Sequence, residues 1–197
     1  MFRFIREHSY EIVRLFLTQV AIAVLGLVLS FSTSSSNMLF LVSSIFASVF
    51  YVCLLYSEGW ELGAKDRPRI TNNRMRFDKI KGVRLSLLSN VPNFIMVLLL
   101  FISFFLGSRS GAGIELFGSI YAIDLYIQRT ISAMYMGINT YFAPYEIREG
   151  IKYIASDTIY QPLFYTISII PSVCAVGLGY YMGANDRKLM TVNKTDA

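Results

Sequence analysis

Charge is scarce in this sequence: only 16% of its 197 residues are Asp, Glu, Lys or Arg, against 54% that are apolar, and mean hydropathy is +0.50. A soluble domain carries about 25% charged residues, so this composition excludes an ordinary water-soluble fold and leaves lipid to cover the apolar surface. Histidine is almost missing. His8 stands alone, which leaves no multi-histidine metal set. The two cysteines, Cys53 and Cys174, both lie inside apolar runs and read as small buried hydrophobes, not as a disulfide framework or a metal site. No H-E-x-x-H, P-loop, G-x-S-x-G or paired-Asp phospholipid-synthase pattern occurs. We therefore assign no catalytic residue, metal or cofactor from the sequence.

Apolar runs and one basic stretch are what the chain does have. The runs predict an all-α integral membrane protein, a single membrane domain over 1–197 with four transmembrane helices at about 15–30, 38–56, 85–106 and 160–182. Between the second and third runs, 57–84 is a basic loop, and the segment 57–87 holds eight of the eighteen Lys and Arg residues. With the loop on the cytoplasmic side, fourteen Lys and Arg fall inside; only Arg109, Arg129, Arg148 and Lys152 fall outside. That asymmetry predicts a multi-pass protein with both termini cytoplasmic. The net charge of +5 then marks contact with anionic head groups, and nucleic acid is not expected as a partner.

Prolines punctuate the third and fourth runs. Pro92 stands near the inner entrance of the third, beside Asn93, and Pro171 stands near the middle of the fourth, where it removes a backbone hydrogen bond and predicts a kink.

Region 107–159 is harder to place. Residues 114–142 show helical apolar spacing but carry Asp124, Gln128 and Arg129. Asp and Arg near a helix centre each cost about 2.5 to 3.5 kcal/mol on insertion, and each Leu or Ile returns only about 0.3 to 0.6. A lone lipid-facing span is disfavoured. The segment is expected as an amphipathic helix on the outer surface or as one partly embedded under cover of the other spans, and the insertion cost favours the first. A second amphipathic piece, YEIREGIKYIASD, follows Pro144.

The clearest internal signal is a repeat: GWELGAKDR at 59–67 returns as GYYMGANDR at 179–187. Gly59, Gly63, Ala64, Asp66 and Arg67 match Gly179, Gly183, Ala184, Asp186 and Arg187. The glycine pairs are four apart, on one helical face, and are candidate helix-packing positions. Asp66, Arg67, Asp186 and Arg187 are candidates for docking a partner at the inner face. Asn93, Asp124, Gln128 and Arg129 are candidates for a polar path, because ionisable groups inside a membrane mark such paths.

The segments EGWELGAKDRPRI and KGVRLSLLSNVPNF resemble a group of small uncharacterised multi-span membrane proteins of Gram-positive bacteria. That resemblance implies a bacterial plasma membrane protein and brings no activity and no site residue with it. Three functions stay open. The favoured one is a non-enzymatic accessory or scaffold component that docks a protein partner or a second copy of itself. The others are a small oligomeric transporter or channel subunit with a path through Asp124 and Arg129, and an intramembrane lipid-modifying enzyme.

Overall fold

The computed structural model describes residues 2–107, 114–148, 151–154 and 159–185. Eight helices account for most of them: α1 (Phe2–Glu7), α2 (Ser9–Thr33), α3 (Asn37–Thr71), α4 (Lys81–Ser89), α5 (Val91–Gly107), α6 (Ile114–Ile131), α7 (Met136–Phe142) and α8 (Tyr160–Ala184). A single 3-10 turn, Ala133–Tyr135, links α6 to α7. Among the described residues, the strands form one hairpin, in which β1 (Tyr145–Arg148) pairs antiparallel with β2 (Ile151–Ile154), Tyr145 opposite Ile154. Apolar and polar residues alternate through Tyr145–Arg148 and from Ile151 to Tyr153, a period of two that suits a strand better than a helix.

Three helices, α2, α3 and α8, are long and apolar enough to cross a membrane; a fourth span exists if α4 and α5 count together, bent by 56° at their break. The surface agrees with that reading. On α2 the most exposed apolar side chains are Val13, Leu17, Val24, Val28 and Phe31, while Gln19 is only 5% exposed. Apolar outside and polar inside is the reverse of a soluble helix, and it is what lipid demands. Cys53 and Cys174 also face outward, contrary to the burial expected from their apolar surroundings.

Several boundaries differ from expectation, each for a local reason. The second run does not end at 56: α3 continues to Thr71, through Pro68, so half of the basic loop is helix. Glu58 and Glu61 on that extension hold Arg14 of α2 in ion pairs of 2.8 Å each, and Thr18 Oγ1 donates to Glu58 at 3.1 Å. At the other end Thr33 and Ser43 hydroxyls meet at 2.9 Å. Those two anchors make α2 and α3 an antiparallel pair. The third run breaks at Asn90, and Pro92 occupies the first turn of α5, where a missing N–H costs nothing.

The main core cluster gathers Leu15, Tyr51, Leu55, Leu85, Val176 and Tyr180; a second, around Val97, Leu100, Leu125 and Ile169, joins α5, α6 and α8.

Candidate functional site

The repeat resolves into a helix crossing. A Cβ on Gly59 would lie 2.5 Å from the carbonyl oxygen of Val176, and one on Gly63 would strike that of Tyr180. Reciprocally, Gly179 faces the carbonyl oxygen of Tyr56 and Gly183 that of Trp60. Each contact maps onto its partner by the same 120-residue offset as the repeat, so α3 and α8 run parallel and cross about a local two-fold axis. Backbone meets backbone there because nothing larger than hydrogen projects from the four glycines. All four expected packing positions are brought together.

One residue of the repeat is placed differently from expectation. Asp66 does not face a partner: it is 7% exposed and accepts from Lys81 Nζ at 2.7 Å and from Tyr180 Oη at 2.9 Å. Lys81 is as buried as Asp66, and its ammonium also lies 5.9 Å from the centre of the Tyr180 ring. The carboxylate is thus spent on joining α3, α4 and α8, and a docking role for it is withdrawn. Arg67 is half-buried and engaged, and Asp186 and Arg187 lie outside the described residues.

The polar residues of the middle third come together around a cavity of about 30 Å³. It lies between the middles of α2, α3 and α8, the break between α4 and α5, and the end of α6. Gln19, Asn90, Asn93, Gln128, Ser132 and Ser168 contribute its polar wall; Tyr51, Tyr135 and Tyr165 contribute rings. Two expected path residues, Asn93 and Gln128, therefore share one site. The segment 114–131 packs its polar face against the bundle while several of its apolar side chains stay exposed. Asp124 is 4% and Gln128 1% exposed, because α2 and α5 cover the polar face of α6. The cost computed for a lone helix does not apply to one whose polar face is packed.

Unwound backbone inside a bundle is tolerated only if its polar groups find partners. Serines supply them. Ser44 and Ser48 hydroxyls donate to the Met134 carbonyl at 2.7 and 3.1 Å, and Ser30 donates to that of Ala133 at 3.4 Å. At the other break, Asn90 Nδ2 donates to the Ser86 carbonyl at 2.9 Å and to Ser172 Oγ at 3.1 Å, and Asn93 Nδ2 donates to Asn90 Oδ1 at 3.2 Å. Gln19 Nε2 donates to Ser89 Oγ at 3.2 Å.

Against that background of satisfied groups, the exceptions stand out. Gln19 Oε1, Gln128 Oε1 and Tyr135 Oη, all on cavity-lining residues, are buried without a hydrogen-bond partner. So are both carboxylate oxygens of Asp124, one helical turn from Gln128 on the same face. Arg129 does not meet Asp124; it lies beside the Tyr165 hydroxyl.

Gln19, Tyr135 and Asn90 were not singled out from the sequence. Gln19 carried a usable signal, as the one amide in the run Leu15–Leu29. The tyrosines carried none, being three of thirteen.

Several helices are long and apolar enough for a multi-pass membrane protein, and between its apolar clusters lies a polar site built where helices break. No family model, curated protein or solved structure matches the chain.

Proposed function

We propose that this chain is a four-span protein of the bacterial plasma membrane, with both termini cytoplasmic, that acts as a small carrier or channel subunit. The observation that carries the reading is the cavity between broken helices, with the oxygens of Gln19, Gln128 and Tyr135 left unpartnered beside it. Sites of this kind, formed near the bilayer midplane by discontinuous helices, bind solutes in membrane transporters. Helix packing alone does not call for such groups, since a buried polar atom without a partner costs about 1 to 3 kcal/mol. The inward turn of Asp66 weighs against the accessory reading, which loses one of its docking groups.

Cysteine accessibility tests this. With Cys53 and Cys174 replaced by serine, Gln128→Cys and Ser132→Cys are treated with a small, charged thiol reagent from each side of sealed vesicles. Labelling from at least one side is expected; no labelling from either side means the cavity never meets water, and the carrier reading falls.

The basic segment supports a second, separate contact. Lys65, Arg69, Arg74, Arg76 and Lys79 are exposed, and each basic residue near an anionic leaflet contributes about 1 kcal/mol. This surface meets anionic lipid head groups at the inner face, whatever the cavity carries.

A further inference from the structure

We infer that the mid-bundle cavity binds a monovalent cation of the size of sodium or potassium, held by side-chain oxygens of Gln19, Gln128 and Tyr135, with Asp124 supplying the opposite charge from one turn away. The inference deepens the reading of the cavity as a ligand site and rests on it.

The donor set comes first. Gln19 spends its amide N–H on Ser89, which leaves its Oε1 as the free end, and Gln128 Oε1 and Tyr135 Oη are equally unpartnered. Three oxygens of that kind, neutral and hard, suit an alkali cation, and neither thiolate nor imidazole lines the cavity for a transition metal. Size comes second. A cavity of about 30 Å³ exceeds the ~10–15 Å³ that one water requires, so it takes an ion with about one water. It is far below the ~300 Å³ at which pockets for drug-sized organic ligands begin.

Charge decides between the remaining classes. No cationic side chain lines the cavity, whereas Asp124 stands buried with both oxygens unpartnered on the face that carries Gln128. Arg129, the nearest cation in sequence, projects about 140° round the helix from Asp124, by a rotation of 100° per residue. It is engaged at the Tyr165 hydroxyl. An anion would meet the carboxylate unfavourably. A divalent ion is normally held by more than one carboxylate, and no Asp or Glu is among the residues that line the cavity.

The test is thermal unfolding of the full-length protein in detergent, at constant ionic strength, in sodium, potassium or N-methyl-D-glucamine chloride. One alkali cation is expected to raise the midpoint in a saturable way. Asp124→Asn and Gln19→Leu should each weaken its apparent affinity at least tenfold, while Gly118→Ala leaves it unchanged. If Asp124→Asn does not fold, Gln19→Leu alone decides. No difference between the alkali salts and N-methyl-D-glucamine overturns the inference, as does an alkali effect untouched by both substitutions. A cation effect lost in the variants, with Gln128→Cys labelled from neither side, upholds the ion and sinks the carrier. Labelling of Gln128→Cys without any cation effect does the opposite.

Discussion

The α3–α8 crossing and the cavity above it lie in one bundle, yet they are built on opposite rules. At the crossing, four glycines bring backbones into contact and the buried Asp66 carboxylate has both an ammonium and a phenol on it, while the Tyr56 hydroxyl there is left unpartnered. At the cavity, α4 and α5 meet at a 56° bend, α6 gives way to a 3-10 turn, and several buried oxygens have nothing on them. A membrane protein has little hydrophobic drive between its helices, so close packing and internal hydrogen bonds must hold it together. The crossing supplies that. The cavity uses some of the stability so gained to keep polar groups available, which is where a site for a solute is to be sought.

The comparison breaks most visibly at the Asp66–Lys81 pair. Lys81→Met leaves a buried carboxylate with only the Tyr180 hydroxyl, and removing one partner of a buried pair costs about 3 to 5 kcal/mol. Reversible unfolding in mixed micelles measures it. The double variant Asp66→Leu, Lys81→Met should recover part of the loss, because two apolar groups need no partner, although the Tyr180 hydroxyl loses its acceptor. If the double variant is as unstable as the single one, the triad holds α4 in place by shape and not by charge.

Gly63→Ala comes next. Its new methyl group meets the Tyr180 carbonyl oxygen and approaches the Ala184 nitrogen to 2.6 Å, both of them backbone atoms that cannot swing away. The helices must separate, and overpacking of this kind costs about 1 to 3 kcal/mol. By the local two-fold, Gly183→Ala should cost about the same. Unequal losses would show that the symmetry is one of sequence more than of energy.

At the cavity the sign reverses. Asp124→Leu removes a buried carboxylate whose two oxygens have no partner, so it is expected to raise stability by about 1 to 2 kcal/mol in N-methyl-D-glucamine chloride. Any gain should be smaller in the alkali salt that binds. A loss of stability would mean that Asp124 holds the fold, and the contrast between the two regions would go with it.

The crossing was legible in the sequence and the cavity was only half so. Gly59, Gly63, Gly179 and Gly183 announce themselves by spacing, which places each pair on one face whatever surrounds it. Asp124 and Gln128 were visible as a cluster, but their placement depends on α2 and α5 covering them, and a sum of insertion costs along one helix contains no such term. Lys81 was one of eight basic residues in its stretch, and nothing local distinguishes the one that turns inward. Pro92 marked the break at Asn90 because its effect is on the backbone beside it. What was missed was chiefly what distant segments do to one another.

The smallest expected effect separates the two regions with a single kind of change. Gly118 lies on α6, exposed, and a Cβ placed there has nothing within 4 Å. Gly118→Ala should therefore stabilise, by less than about 1 kcal/mol, since alanine restricts the chain less unfavourably than glycine in a helix. The same substitution at Gly63 should destabilise, because there the absent side chain is the contact. If Gly118→Ala instead weakens the protein, and does so more in a membrane at high protein density than in dilute detergent, then a second copy of the chain packs on α6 at that glycine. The exposed face of α6 would then be an interface between subunits, and the cavity would sit next to it.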